Sequence, residues 1–111
     1  MNDRELLELA AKAAGINLVF GPEAMHSTDD GLIFWNPLEN DGDALRLAVM
    51  LDIEMYQADD DGPAVYSGYW CKPERRDVTR LYCIESINDD PYTATRRAIV
   101  RAAAEIGRNM K

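Results

Sequence analysis

Carboxylates gather at three points of the sequence: Asp29-Asp30, Asp41-Gly42-Asp43 and Asp59-Asp60-Asp61. Grouped acids could hold a cation, run acid–base chemistry, or present negative charge to a basic partner. The groups lack the D-x-D-x-D-G…E spacing of a calcium loop, and the one histidine, His26, has no obvious ligand partner. There is no G-x-S-x-G and no phosphate-binding glycine pattern. Acids in turns stay hydrated and ionised, which suits charge display better than proton transfer. No catalytic residue, cofactor or metal site is therefore expected. Asp29, Asp30, Asp59, Asp60 and Asp61 are the candidate partner-binding residues, whereas Asp41 and Asp43 read as the start of a helix, where carboxylates complement free N–H groups and the helix dipole.

The charge is unevenly placed. Residues 1–63 carry 14 acids against three bases, a balance of −11, and residues 64–111 carry six acids against nine bases, a balance of +3, which together make the net −8. Such acidity repels phosphate backbones and argues against direct nucleic-acid binding. It favours a partner protein with a basic surface, with association faster at low salt. No apolar run approaches the roughly 20 residues of a membrane span. The N-terminal stretch is an acidic amphipathic helix rather than a signal peptide, so a soluble, cytosolic protein is expected, in which Cys71 and Cys83 are reduced.

The elements that must position these groups follow from periodicity and capping. Asn2-x-x-Glu5 is a capping box, Leu6, Leu9, Ala10 and Ala13 recur at helical spacing, and Gly15 ends a helix over about 3–14. Its alanine face should lie close against a sheet. Ile16 to Phe20 and Leu32 to Trp35 read as a hairpin with a polar loop, Gly21 to Gly31, between them. A second helix enters at Asn36-Pro37 or one turn later at Asp41, with Leu45, Ala48, Leu51, Leu47 and Ala44 as its buried stripe. Strands follow at Ile53 to Ala58, Val65 to Cys71 and Thr79 to Ile87. A hairpin centred on Asp77 would set Cys71 opposite Cys83. Val65 and Tyr69 point one way and Tyr66 and Trp70 the other, so both faces of the sheet ask for cover. Trp35, Tyr56, Tyr66, Tyr69, Trp70 and Tyr82 are expected in the core. Asp90-Pro91 opens the last helix, with Thr95, Ile99, Ala102, Ala103 and Ile106 inward, Gly107 at its end, and Arg96, Arg97 and Arg101 on a solvated face that can pair with the acidic half.

Three stretches taken together, MNDRELLELAAKAAG, WNPLENDGDALRLAV and ATRRAIVRAAAEIG, resemble the small phage and prophage proteins grouped as the phage ABA sandwich domain. They are more distantly similar to the Nin-region X proteins of lambdoid phages, which share the Asn-Pro turn into a helix and a late Ala-Arg-rich helix. The resemblance implies a phage or prophage origin and an α-β-α sandwich, and brings no activity and no site residue. The resulting expectation is a single α+β domain over 1–111. It is a three-layer α-β-α sandwich with a mostly antiparallel sheet, in the order α-β-β-α-β-β-β-α. The functional expectation is a non-catalytic accessory protein binding a host or defence protein, in the manner of acidic anti-defence proteins that mimic DNA. A small-molecule or nucleotide binder using aromatic side chains, or a dimeric scaffold in phage replication or recombination, are the alternatives.

Overall fold

Asn2 accepts the Glu5 N–H at 2.8 Å and starts α1 (Asp3–Ala14), which Gly15 closes in the left-handed conformation at φ 70°. The computed structural model describes residues 1–60, 62–70 and 80–110. Asp61, residues 71–79 and Lys111 lie outside the described residues, and with them one acid of the third group and the expected Cys71 pairing. After α1 come β1 (Leu18–Phe20), β2 (Ala24–Thr28), β3 (Gly31–Phe34), α2 (Asp41–Leu51), β4 (Glu54–Ala58), β5 (Ala64–Trp70), β6 (Arg80–Ser86) and α3 (Pro91–Arg108). The class is α+β, a sandwich of helices and antiparallel strands, as expected. The order gains one strand, and the strands divide into two antiparallel sheets, β1-β2-β3 and β4-β5-β6.

The added strand is β2, inside the segment read as a loop. Its residues AMHST have little strand propensity of their own. They are drawn in by pairing on both sides: His26 stands opposite Leu18 and Ile33, and Met25 opposite Val19 and Phe34. β1 and β3 therefore do not pair with each other; each pairs with β2.

Pro37 does not open α2. The N–H groups of Glu39 and Asn40 donate to the Asn36 carbonyl, making a turn, and Asn40 caps the helix by accepting the Asp43 N–H at 2.8 Å. Asp43 is buried at 8% exposure, accepts the Asn36 N–H at 3.0 Å, and pairs with Arg46 at 2.7 Å. The acids there hold the turn and the helix entry together. On α2 the buried residues are Asp43, Ala44, Leu47 and Ala48. Leu45 is 59% exposed and Leu51 only half-buried, so the inward stripe is rotated from the expected one toward the smaller side chains.

The central element is α3, capped by Asp90 with Pro91 in its first turn. It packs against β5, β6, α1 and α2. Ala98 and Val100 are fully enclosed, and the Ser67 hydroxyl donates to the Ala98 carbonyl at 2.7 Å. The alanine face of α1 meets α3 and not a sheet. The approach is close because Gly107 has no side chain: a Cβ there would sit 2.0 Å from the Leu9 carbonyl oxygen. Gly107 lies within the helix, so its role is this contact and not a cap. The arginine row of α3 does reach the acidic half: Arg96 pairs with Asp41 at 2.7 Å and Arg97 with Asp3 at 2.9 Å, while Arg101 pairs with Glu85 at 2.6 Å.

The β5–β6 register is shifted by four residues from that of a hairpin about Asp77. Ser67, not Cys71, stands opposite Cys83. Cys83 is buried and free, facing α3, and burial pushes its thiol above the ordinary value of 9.0.

Candidate interaction surface

The two acidic groups sit at the tips of different sheets. Asp29 and Asp30 form the two-residue turn between β2 and β3, where the Asp30 N–H donates to the Thr28 hydroxyl at 3.2 Å. Asp59 and Asp60 lie in the connection between β4 and β5. All four are exposed and make no ion pair within the described residues. Their charge therefore projects into solvent uncompensated, unlike that of Asp3, Asp41 and Glu85, which arginines neutralise.

What the sequence reading missed is the apolar surface beside the first tip. β3 is exposed along its whole length: Leu32 by 53%, Ile33 by 52% and Phe34 by 69%. Among the described residues it is an edge strand, paired on one side only, by β2. The Trp35 N–H donates to the Ala24 carbonyl, so the odd residues of this stretch turn their backbone groups toward β2. Leu32 and Phe34 turn theirs outward. The signal in the sequence was a run of four residues, Gly31-Leu32-Ile33-Phe34, without one charge or proline to guard an edge. At the far end Phe34 borders an open cavity of about 610 Å³ lined also by Arg4, Phe20, Glu23, Glu39 and Asp43. Glu23 and Glu39 are exposed, so acids flank the apolar edge at both ends.

The second sheet exposes apolar surface differently. Its inner face, with Val65, Ser67, Tyr69 and Cys83, lies on the core side. Of the six aromatics expected in the core, Trp35 and Tyr69 are buried, whereas Tyr56 and Tyr82 are each 46% exposed and Tyr66 and Trp70 are half-buried. The last four lie on the outer face, which no helix covers among the described residues, so they cover one another. Tyr56 and Tyr66 stack at 5.1 Å, and Tyr82 meets Tyr56 edge-on at 6.1 Å. Tyr82 lies across Gly68 and donates to Glu54 at 2.8 Å, a bond that raises its phenol above the ordinary 10.0. Trp70 donates to Asp52 and carries the Arg80 guanidinium 4.5 Å above its ring. These polar groups are spent within the sheet.

Other chemistry has less to work with. His26 lies in β2 and not in a loop, partly buried between Leu18 and Ile33. Among the described residues no group of three or more His, Cys, Asp or Glu side chains is arranged to hold a metal ion. A cavity of about 480 Å³ opens between α2, β4 and the start of α3, with Leu45, Met55, Tyr92 and Ile99 on its walls. No helix among the described residues is long and apolar enough to cross a membrane. No protein-family model matches the chain, and neither a curated protein nor a solved structure matches it.

Proposed function

We propose that this chain is a non-catalytic interaction protein of phage or prophage origin that binds a host or phage protein through a basic surface on that partner. One observation carries the reading: an uncompensated acidic tip, Asp29-Asp30, runs directly into the exposed apolar residues Leu32, Ile33 and Phe34. Charge of one sign speeds encounter and selects the partner, and apolar side chains supply the contact that holds it. Asp59 and Asp60 add a second acidic tip, on the other sheet. In the cell the target would be a host or defence protein whose own basic surface is built for nucleic acid.

The test is capture by tagged protein from host lysate at low and at moderate salt, beside a variant with Asp29, Asp30, Asp59 and Asp60 all changed to Asn. A stoichiometric partner that is lost both at moderate salt and with the variant is the expected result. Equal recovery by the variant would sink the charge reading. The cavity walled by Leu45, Met55, Tyr92 and Ile99 favours a second reading, a small-molecule binder. That reading requires a ligand-dependent rise in melting temperature in a metabolite and nucleotide screen.

A further inference from the structure

We infer that β3 is a strand-addition edge, and that its occupant is an extended segment of another protein, apolar at successive positions and flanked by Lys or Arg at both ends. The inference rests on the interaction reading above and names the mode and chemistry of the partner.

The four edges of the two sheets are not equivalent. On β6 the outward Ile84 carbonyl accepts Arg101 Nη1 at 2.8 Å, and the strand carries Arg80 and Glu85. β4 begins with Glu54, which is tied to Tyr82 and Arg80. β1 lies beside α1, with the Arg4 guanidinium 4.4 Å from the Phe20 ring. Charge on an edge is the usual guard against a further strand. β3 has no such guard, and the backbone groups of Leu32 and Phe34 face outward with no strand beyond them among the described residues.

An added strand would complete those backbone groups and lie along roughly 13 Å of edge. Leu32 and Phe34 share one face of the sheet with Val19 and Met25, and Ile33 is on the other. The occupant therefore needs apolar side chains on both of its faces. Acids stand at each end of the edge, Asp29 and Asp30 before it and Glu23 and Glu39 after it. Basic flanks on the occupant complement both ends. A second copy of this chain does not: paired antiparallel it would set Asp29-Asp30 against Glu23 and Glu39, and paired parallel it would set each acidic group against itself. Three partly exposed side chains also fall short of the roughly 800 Å² each partner gives to a stable dimer interface.

Amide exchange by NMR tests this on the unmodified protein, with the nonapeptide KKVIVIVKK as probe at low salt and EEVIVIVEE as its charge-reversed control. Exchange at the Leu32 and Phe34 amides should slow about tenfold or more on saturation with the basic peptide. Ile33, already bonded to β2, should change little, and the acidic peptide should do nothing. Leu32→Pro removes an outward N–H and no ladder bond, a place where an edge strand tolerates proline. It should abolish peptide binding while leaving the circular dichroism spectrum intact. Unchanged exchange at Leu32 and Phe34 in the wild type would overturn the proposal whether or not the proline variant folds. Protection of the same amides without peptide, rising with concentration as the mass doubles, would also overturn it by making a second copy the occupant. Capture of the lysate partner by a folded Leu32→Pro protein would defeat the edge while leaving the interaction reading standing.

Discussion

The two sheets contain the same number of strands and meet opposite fates. The β4-β5-β6 sheet presses Val65, Tyr69 and Cys83 into the core and disposes of its outer aromatics by stacking them on one another. On its β6 edge the Ile84 carbonyl is met by Arg101, and Glu54 on β4 holds the Tyr82 hydroxyl across the outer face. The β1-β2-β3 sheet buries Ala24, and Leu18 and Phe20 in part, then leaves an entire edge strand in water. In the first sheet local demands are met internally; in the second they are left for something else to meet.

Substitutions can break or sharpen this contrast. The largest effect should come from Gly107→Ala, which places a methyl where the Leu9 carbonyl already sits and parts α1 from α3. Overpacking of this kind costs about 1–3 kcal/mol, read from urea unfolding. A matched pair of truncations comes next. Val65→Ala, at a residue 1% exposed, should destabilise by about 1–2 kcal/mol, whereas Phe34→Ala, at 69%, should stay within about 0.5 kcal/mol. Equal losses would erase the distinction between the sheets.

Arg101→Leu should cost less, about 0.5 kcal/mol, because its ion pair with Glu85 is partly solvent-screened. Its informative readout is aggregation on heating, which should rise once Ile84 loses its guard. The smallest effect concerns Cys83. Its folded thiol is held above 9.0, so its contribution to stability is complete below that value and declines as pH climbs past it. Urea melts at pH 7 and pH 10 should show that decline in wild type and a flatter profile in Cys83→Ala. Alkylation of Cys83 at neutral pH, followed by mass spectrometry, should be slow in the folded protein.

Helices were readable because their ends are written in short-range chemistry. Asn2 with Gly15, and Asp90 with Pro91, marked two helices at the places where the structure has them. α2 was harder because Asn36-Pro37 makes a turn that looks like a helix entry until Asn40 is seen to hold the Asp43 N–H. Strand β2 was hidden because its residues owe their conformation to two neighbours distant in sequence. An eleven-residue loop without structure of its own was itself a reason to look for one. The register of β5 and β6, and with it the partner of Cys83, depends on pairing that no local pattern specifies. The acidic tips were visible as turn chemistry, but the exposed edge beside them was not, since Leu32 to Phe34 reads like any buried strand. Whether an apolar strand lies inside or at a rim is decided by the topology around it.

The contact between Leu9 and Gly107 also sets an order of events. α1 is synthesised well before α3, on which it finds its main support; the Lys12 ammonium even bonds the Met110 carbonyl, 98 residues along the chain. Until α3 emerges, Leu6, Leu7, Ala10 and Ala11 lack their main cover, and Val65 lacks its partners Ala94 and Ala98. During synthesis these apolar stripes therefore wait for α3, the helix on which both α1 and β5 pack.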